Sequence, residues 1–73
     1  MAEFKLSGVK PKELRAVYAT WRREGAVLTL TGGNHVKAVW PDGFTYVGPL
    51  TSSDRHAYRK VLTSAVRLRK AAR

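Results

Sequence analysis

Between Ala26 and Gly48 the apolar residues follow a period of two, and the run is broken twice by turn-forming tripeptides, Gly32-Gly33-Asn34 and Pro41-Asp42-Gly43. That pattern leaves the segment few ways to fold. β-Branched and aromatic residues dominate it, which predicts strands at about 26–31, 35–40 and 44–48 joined as two hairpins. In the second turn proline presets its own φ, aspartate bonds local backbone and glycine accepts a positive φ; the first turn is equally permissive. Register can be tested, because a slip by one residue sends every side chain of a strand to the other face. With three-residue loops at both turns, Leu28, Leu30, Val36, Ala38, Trp40, Phe44 and Tyr46 share one face. Val27, Thr29, Thr31, His35, Lys37, Val39, Thr45 and Val47 share the other. A two-residue Gly-Gly turn mixes the two sets, so the longer loops are expected.

Helical periodicity flanks this meander. Pro11 suits a first helical turn, Leu14, Val17, Tyr18 and Trp21 follow at helical spacing, and Gly25 can take the left-handed stop position. A second helix is expected to open with Thr51, Ser52 or Ser53 as its N-cap and Asp54 near its positive end. Tyr58, Val61, Leu62, Ala65 and Leu68 form its core stripe, and His56 reads as an ordinary first-turn residue. Arg55, Arg59, Lys60, Arg67, Arg69, Lys70 and Arg73 are left for the remaining surface. Residues 1–9 show no clear period and read as an arm or short entry segment. The expected fold is α+β: a two-layer α-β-β-β-α domain over residues 1–73, with both helices on the aromatic face of a three-stranded antiparallel sheet.

The chain has 73 residues and no cysteine, so disulfides and thiolate metal sites are excluded and packing alone must stabilise one small core. The sequence has neither a charged-then-apolar leader pattern nor the ~20 consecutive apolar residues of a membrane span. A cytoplasmic protein with no membrane partner is the expectation. Fourteen Lys and Arg against five Asp and Glu give a net charge of +9. An excess of that size focuses potential that recruits phosphate backbones or other anionic surfaces. Arg15, Arg22 and Arg23 on the first helix, with Arg55, Arg59, Arg67 and Arg69 on the second, are the candidate phosphate contacts, and arginine's planar fork suits bidentate contact.

His35 follows the glycine turn and shares its sheet face with Lys37, two residues along. An imidazole keeps both protonation forms accessible near neutrality and can serve as general base on a ribose 2′-hydroxyl. A lysine beside it can stabilise the charge that develops on phosphate. Gly32 and Gly33 offer backbone that a phosphate can approach closely, with Asn34 next to them. A histidine in this place can equally do no more than end a hairpin loop, and the residues alone leave both readings open. No metal or other cofactor is expected, because no carboxylate or cysteine cluster accompanies the two histidines.

From about Leu14 to Arg69 the chain resembles the HicA-like family of small proteins, toxins of bacterial toxin–antitoxin pairs and their phage and actinobacterial relatives. Three stretches carry the resemblance: the glycine turn ending in His35, the hairpin Trp40-Pro41-Asp42-Gly43, and the helix entry Thr51-Ser52-Ser53-Asp54-Arg55. The resemblance implies a fold like that of double-stranded-RNA-binding domains, binding of RNA, metal-independent cleavage of messenger RNA with His35 as the catalytic residue, and a HicB-like antitoxin as partner. The other reading is a non-catalytic module, of the kind phages encode, that holds nucleic acid or an acidic host protein. Oligomeric state is left open.

Overall fold

The computed structural model describes residues 5–71. Its elements run α1 (Lys12–Arg23), β1 (Val27–Leu30), β2 (His35–Val39), β3 (Thr45–Pro49) and α2 (Ala57–Ala71), preceded by a 3-10 turn at Leu6–Gly8. The α-β-β-β-α order is the expected one.

The helix α1 begins after Pro11 and buries Leu14, Val17, Tyr18 and Trp21, the stripe its periodicity predicts. It stops at Gly25, whose φ of 102° only glycine adopts without strain. There Gly25 N donates to Arg22 O and Ala26 N reaches back to Trp21 O, which satisfies the last helical carbonyls and turns the chain into β1.

The sheet has strand order β1-β2-β3, all antiparallel. Leu30 pairs with Val36 and Val27 with Val39; His35 pairs with Pro49 and Val39 with Thr45. Those pairs extend through Thr31 N to His35 O and Trp40 N to Phe44 O, so both turns have three residues, as the alternation requires. Leu28, Val36, Ala38 and Trp40 are buried and Phe44 and Tyr46 pack against them, whereas His35, Lys37 and Val47 are exposed on the opposite face. Leu30 departs from this pattern: at the turn end of β1 it is exposed.

Both helices lie over the aromatic face. Trp21 is the centre of the contact, with ring centroids 5.1 Å from Trp40, 5.2 Å from Tyr18 and 5.7 Å from Tyr46. From α2, Val61 and Ala65 join the same core cluster.

Of the two readings of residues 1–9, the described part fits the short entry segment: Val9 is fully buried, Leu6 packs on the core, and Lys10 forms a parallel bridge to Thr51. Residues 1–4 lie outside the described residues. Two expectations are corrected. The second helix starts later than its capping residues suggested. Thr51 is taken by Lys10 and Asn34, Ser52 Oγ accepts from Asp54 N, and Asp54 Oδ1 accepts from His56 N. The Asp54 bond is of the kind that caps a helix entry; Arg55 and His56 stay in the turn and α2 begins at Ala57. The buried stripe of α2 is also narrower than expected. It consists of Ala57, Val61 and Ala65, with Tyr58 half-buried, while Leu62 and Leu68 are exposed. Two alanines in that stripe give α2 little bulk with which to widen its contact.

Candidate functional site

Positive φ at Gly32 (107°) and Gly33 (57°) closes the β1–β2 turn, and a Cβ built on either glycine meets nothing within 4 Å. Their backbone is therefore open on the side a Cβ would take, where an anion can approach. Asn34 is used differently. Its Nδ2 donates to Thr51 O at 2.8 Å, and its Oδ1 accepts from Thr51 N at 3.1 Å and Thr51 Oγ1 at 2.8 Å. Its carbonyl also accepts from Leu50 N at 2.8 Å. The side chain pins the turn to the chain leaving β3, so its part at this site is to position the glycines and His35.

The same pin brings in a residue that the sequence did not single out. Lys10 N donates to Leu50 O and Lys10 O accepts from Ser52 N, which places exposed Lys10 at the glycine-turn end of the domain. Lys10 had no local signal, because its neighbours there come from 40 residues further along the chain. Arg55 is exposed in the turn that leads into α2, four residues beyond the Thr51 that Asn34 holds.

His35 opens β2, and Lys37 is flanked across the sheet by Thr29 and Val47. Both are exposed on the face away from the helices. Residues two apart on a strand lie about 7 Å apart, so one phosphodiester can meet both side chains. Trp21, Trp40 and Tyr46 are gathered under the helices. Among the described residues the open face therefore offers no Phe, Tyr or Trp ring on which a base could stack, and recognition there rests mainly on phosphate and shape.

The helical arginines are not brought together with His35 and Lys37, because the helices cover the other face of the sheet. Arg22 and Arg23 close α1, and Arg59 and Arg67 are exposed on α2. Two candidates hold the fold itself. Arg15 Nε donates to Val9 O at 3.2 Å and fastens the N-terminal segment to α1. Arg69 Nη2 donates to Asp42 Oδ2 at 2.9 Å, and its guanidinium lies 5.4 Å from the ring centres of Trp40 and Phe44. Arg59 leans over Tyr58 at 5.7 Å. Arg73 lies outside the described residues.

Below the site, Tyr18 Oη donates to Pro49 O at 2.6 Å and supports the strand partner of His35 from the core. Burial, and then the neighbouring Tyr46, push the Tyr18 hydroxyl pKa well above the usual tyrosine range.

Compared with protein-family models, with curated proteins and with solved structures, the chain matches none. Among the described residues no helix is long and apolar enough to cross a membrane.

Proposed function

We propose that the chain is a small RNA-binding protein of HicA-like type whose glycine-turn end receives the phosphate backbone and whose His35 and Lys37 act on it as a ribonuclease. One observation carries this reading: two glycines with open backbone, exposed His35 and Lys37 on one sheet face, and Lys10 at the same end of a chain of net charge +9. In the reaction the His35 imidazole takes the proton of a ribose 2′-hydroxyl, and the freed oxygen attacks the adjacent phosphorus. The Lys37 ammonium stabilises the charge growing on the non-bridging oxygens. The P–O5′ bond breaks, the 5′-oxygen takes a proton from water, and a 2′,3′-cyclic phosphate remains. A HicB-like antitoxin or an acidic host protein would bind this same end.

A non-catalytic reading has one observation in its favour. The Thr51 hydroxyl, held against the turn, is already donated to Asn34, so it is not available as the acid for the leaving oxygen. The two readings separate in one set of measurements. RNA and duplex DNA titrated at two salt concentrations should bind and weaken steeply with salt, because each neutralised phosphate releases counterions. Wild-type protein should cut messenger RNA. His35→Ala should bind as well yet cut ~10²–10⁴-fold more slowly, the usual contribution of a general base. Binding without cleavage by wild type leaves the non-catalytic module, and no binding to either nucleic acid at low salt refutes the proposal.

A further inference from the structure

The apolar side of α2 is only half covered. Leu62 and Val66, 39% and 51% exposed, border a groove of about 770 Å³ between α1 and α2, floored by Trp21 and Trp40. Glu13 and Glu24 stand on its α1 side. On a chain with fourteen Lys and Arg this is an acidic place. The ion pairs among the described residues are Lys60–Asp54 and Arg69–Asp42, so neither groove carboxylate has a cation, although Glu24 Oε1 accepts a hydrogen bond from Trp40 Nε1 at 3.2 Å. Arg69, the one cation lining the groove among the described residues, is already neutralised by Asp42. Such a surface repels phosphate and suits an apolar stripe flanked by cations.

The exposed side of α2 carries that pattern. At about 100° per residue, Arg59 and Lys70 fall roughly 60° and 80° from Leu62, on the outer flank of the Leu62–Val66 stripe. Eleven residues separate Arg59 from Lys70, and eleven separate Glu13 from Glu24. Each pair therefore spans about 16 Å along its helix. Direction follows from the floor of the groove. Arg69 stacks on Trp40, whose indole donates to Glu24, so Glu24 lies at the C-terminal end of α2. An α2 entering from a second copy in the antiparallel sense carries its own Lys70 toward Glu13 and its own Arg59 toward Glu24.

We propose that the occupant of the groove is α2 of a second copy of this chain, in a two-fold dimer that packs Leu62 and Val66 against their symmetry mates. The contact is self-complementary, as a two-fold interface must be, since each chain supplies one acidic wall and one basic-flanked stripe. Repulsion between two chains of net charge +9 is screened beyond ~8 Å at physiological salt, whereas close pairs in the groove are screened less. The dimer lies on the helical side of the sheet and leaves His35 and Lys37 open, so it is independent of the nucleic-acid reading.

Sedimentation equilibrium at physiological salt, from micromolar to millimolar protein, tests the proposal. The mass should rise from 8.1 kDa toward twice that value. Val66→Glu, at a half-exposed position, should keep the circular dichroism of the fold and remain monomeric. The pair Glu13→Lys and Glu24→Lys should also be monomeric, and adding Arg59→Glu and Lys70→Glu to that same chain should restore the dimer. Wild type that stays monomeric throughout overturns the proposal and leaves the groove to a basic helix of another protein. A dimer that persists in Val66→Glu, or a fully charge-swapped chain that folds but stays monomeric, overturns it as well.

Discussion

A single methyl added at Gly48 should break the packing beneath the candidate site, and the structure says through which atom. Gly48 pairs with Val36 in β3, and its φ is not in the left-handed region, so its backbone would accept alanine. The obstacle is space. A Cβ there comes 2.6 Å from Tyr18 Oη and 3.2 Å from Tyr46 Cε2. Tyr18 is fully buried and its hydroxyl is committed to Pro49 O, so the ring retreats only by giving up that bond. Overpacking a core costs ~1–3 kcal/mol, and a lost hydrogen bond adds about 1 kcal/mol. Gly48→Ala should therefore cost about 2–4 kcal/mol. Tyr18→Phe alone should cost about 1–2 kcal/mol for the unpaired carbonyl. In the double variant the clashing oxygen is gone and the nearest atom is Tyr46 Cε2 at 3.2 Å, an edge that can yield by a few tenths of an ångström. The methyl should then cost only about 1 kcal/mol, which gives a coupling of about 1–3 kcal/mol, well beyond the ~0.3–0.5 kcal/mol scatter of independent sites. Urea unfolding of the four proteins, followed by the fluorescence of Trp21 and Trp40, measures the cycle, with a stabilising osmolyte present if Gly48→Ala is too weak to fold without it. Additive costs, or a Gly48→Ala cost under about 0.5 kcal/mol, would refute the reasoning.

Asn34→Ala removes three side-chain bonds to Thr51; because these are exposed and water replaces them, stability should fall by only about 1–2 kcal/mol. Amide exchange at Leu50 and Thr51 should nonetheless quicken, and unchanged exchange would show that the side chain does not hold the turn. Because the Tyr18 pKa is raised in the fold, the folded hydroxyl stays protonated where the unfolded one, near pH ~10, ionises. The unfolded state then binds fewer protons, so this contribution to stability is intact below pH ~10 and declines above it. Stability curves measured up to strongly alkaline pH should therefore fall more steeply for wild type than for Tyr18→Phe.

Hydrophobic pattern and turn chemistry were enough for the order of the elements and for the two faces of the sheet. The pleat has a period of two and the loops have three residues, so hydrophobic alternation had one consistent register, and that register set His35 and Lys37 together on the open side. Glycine at position 25 and the Leu14–Trp21 stripe likewise gave α1 its end and its buried face through local chemistry. Which groups those faces meet came only with the folded chain. Leu62 and Leu68 have helical spacing, but whether they are covered depends on how far α1 and the sheet reach across, and neither extends over them. Arg69 reads in sequence as one more surface cation, and only the fold brings it onto Trp40 and Asp42, 27 residues away from the latter. Asn34 and Thr51 are each turn-forming residues in their own neighbourhoods, yet their bonds to each other remove the N-cap that Thr51 offered and carry Lys10 to the site. Periodicity is a property of one segment, whereas coverage and hydrogen-bond partnership are properties of two segments placed side by side, so they could be decided only when the chain had folded.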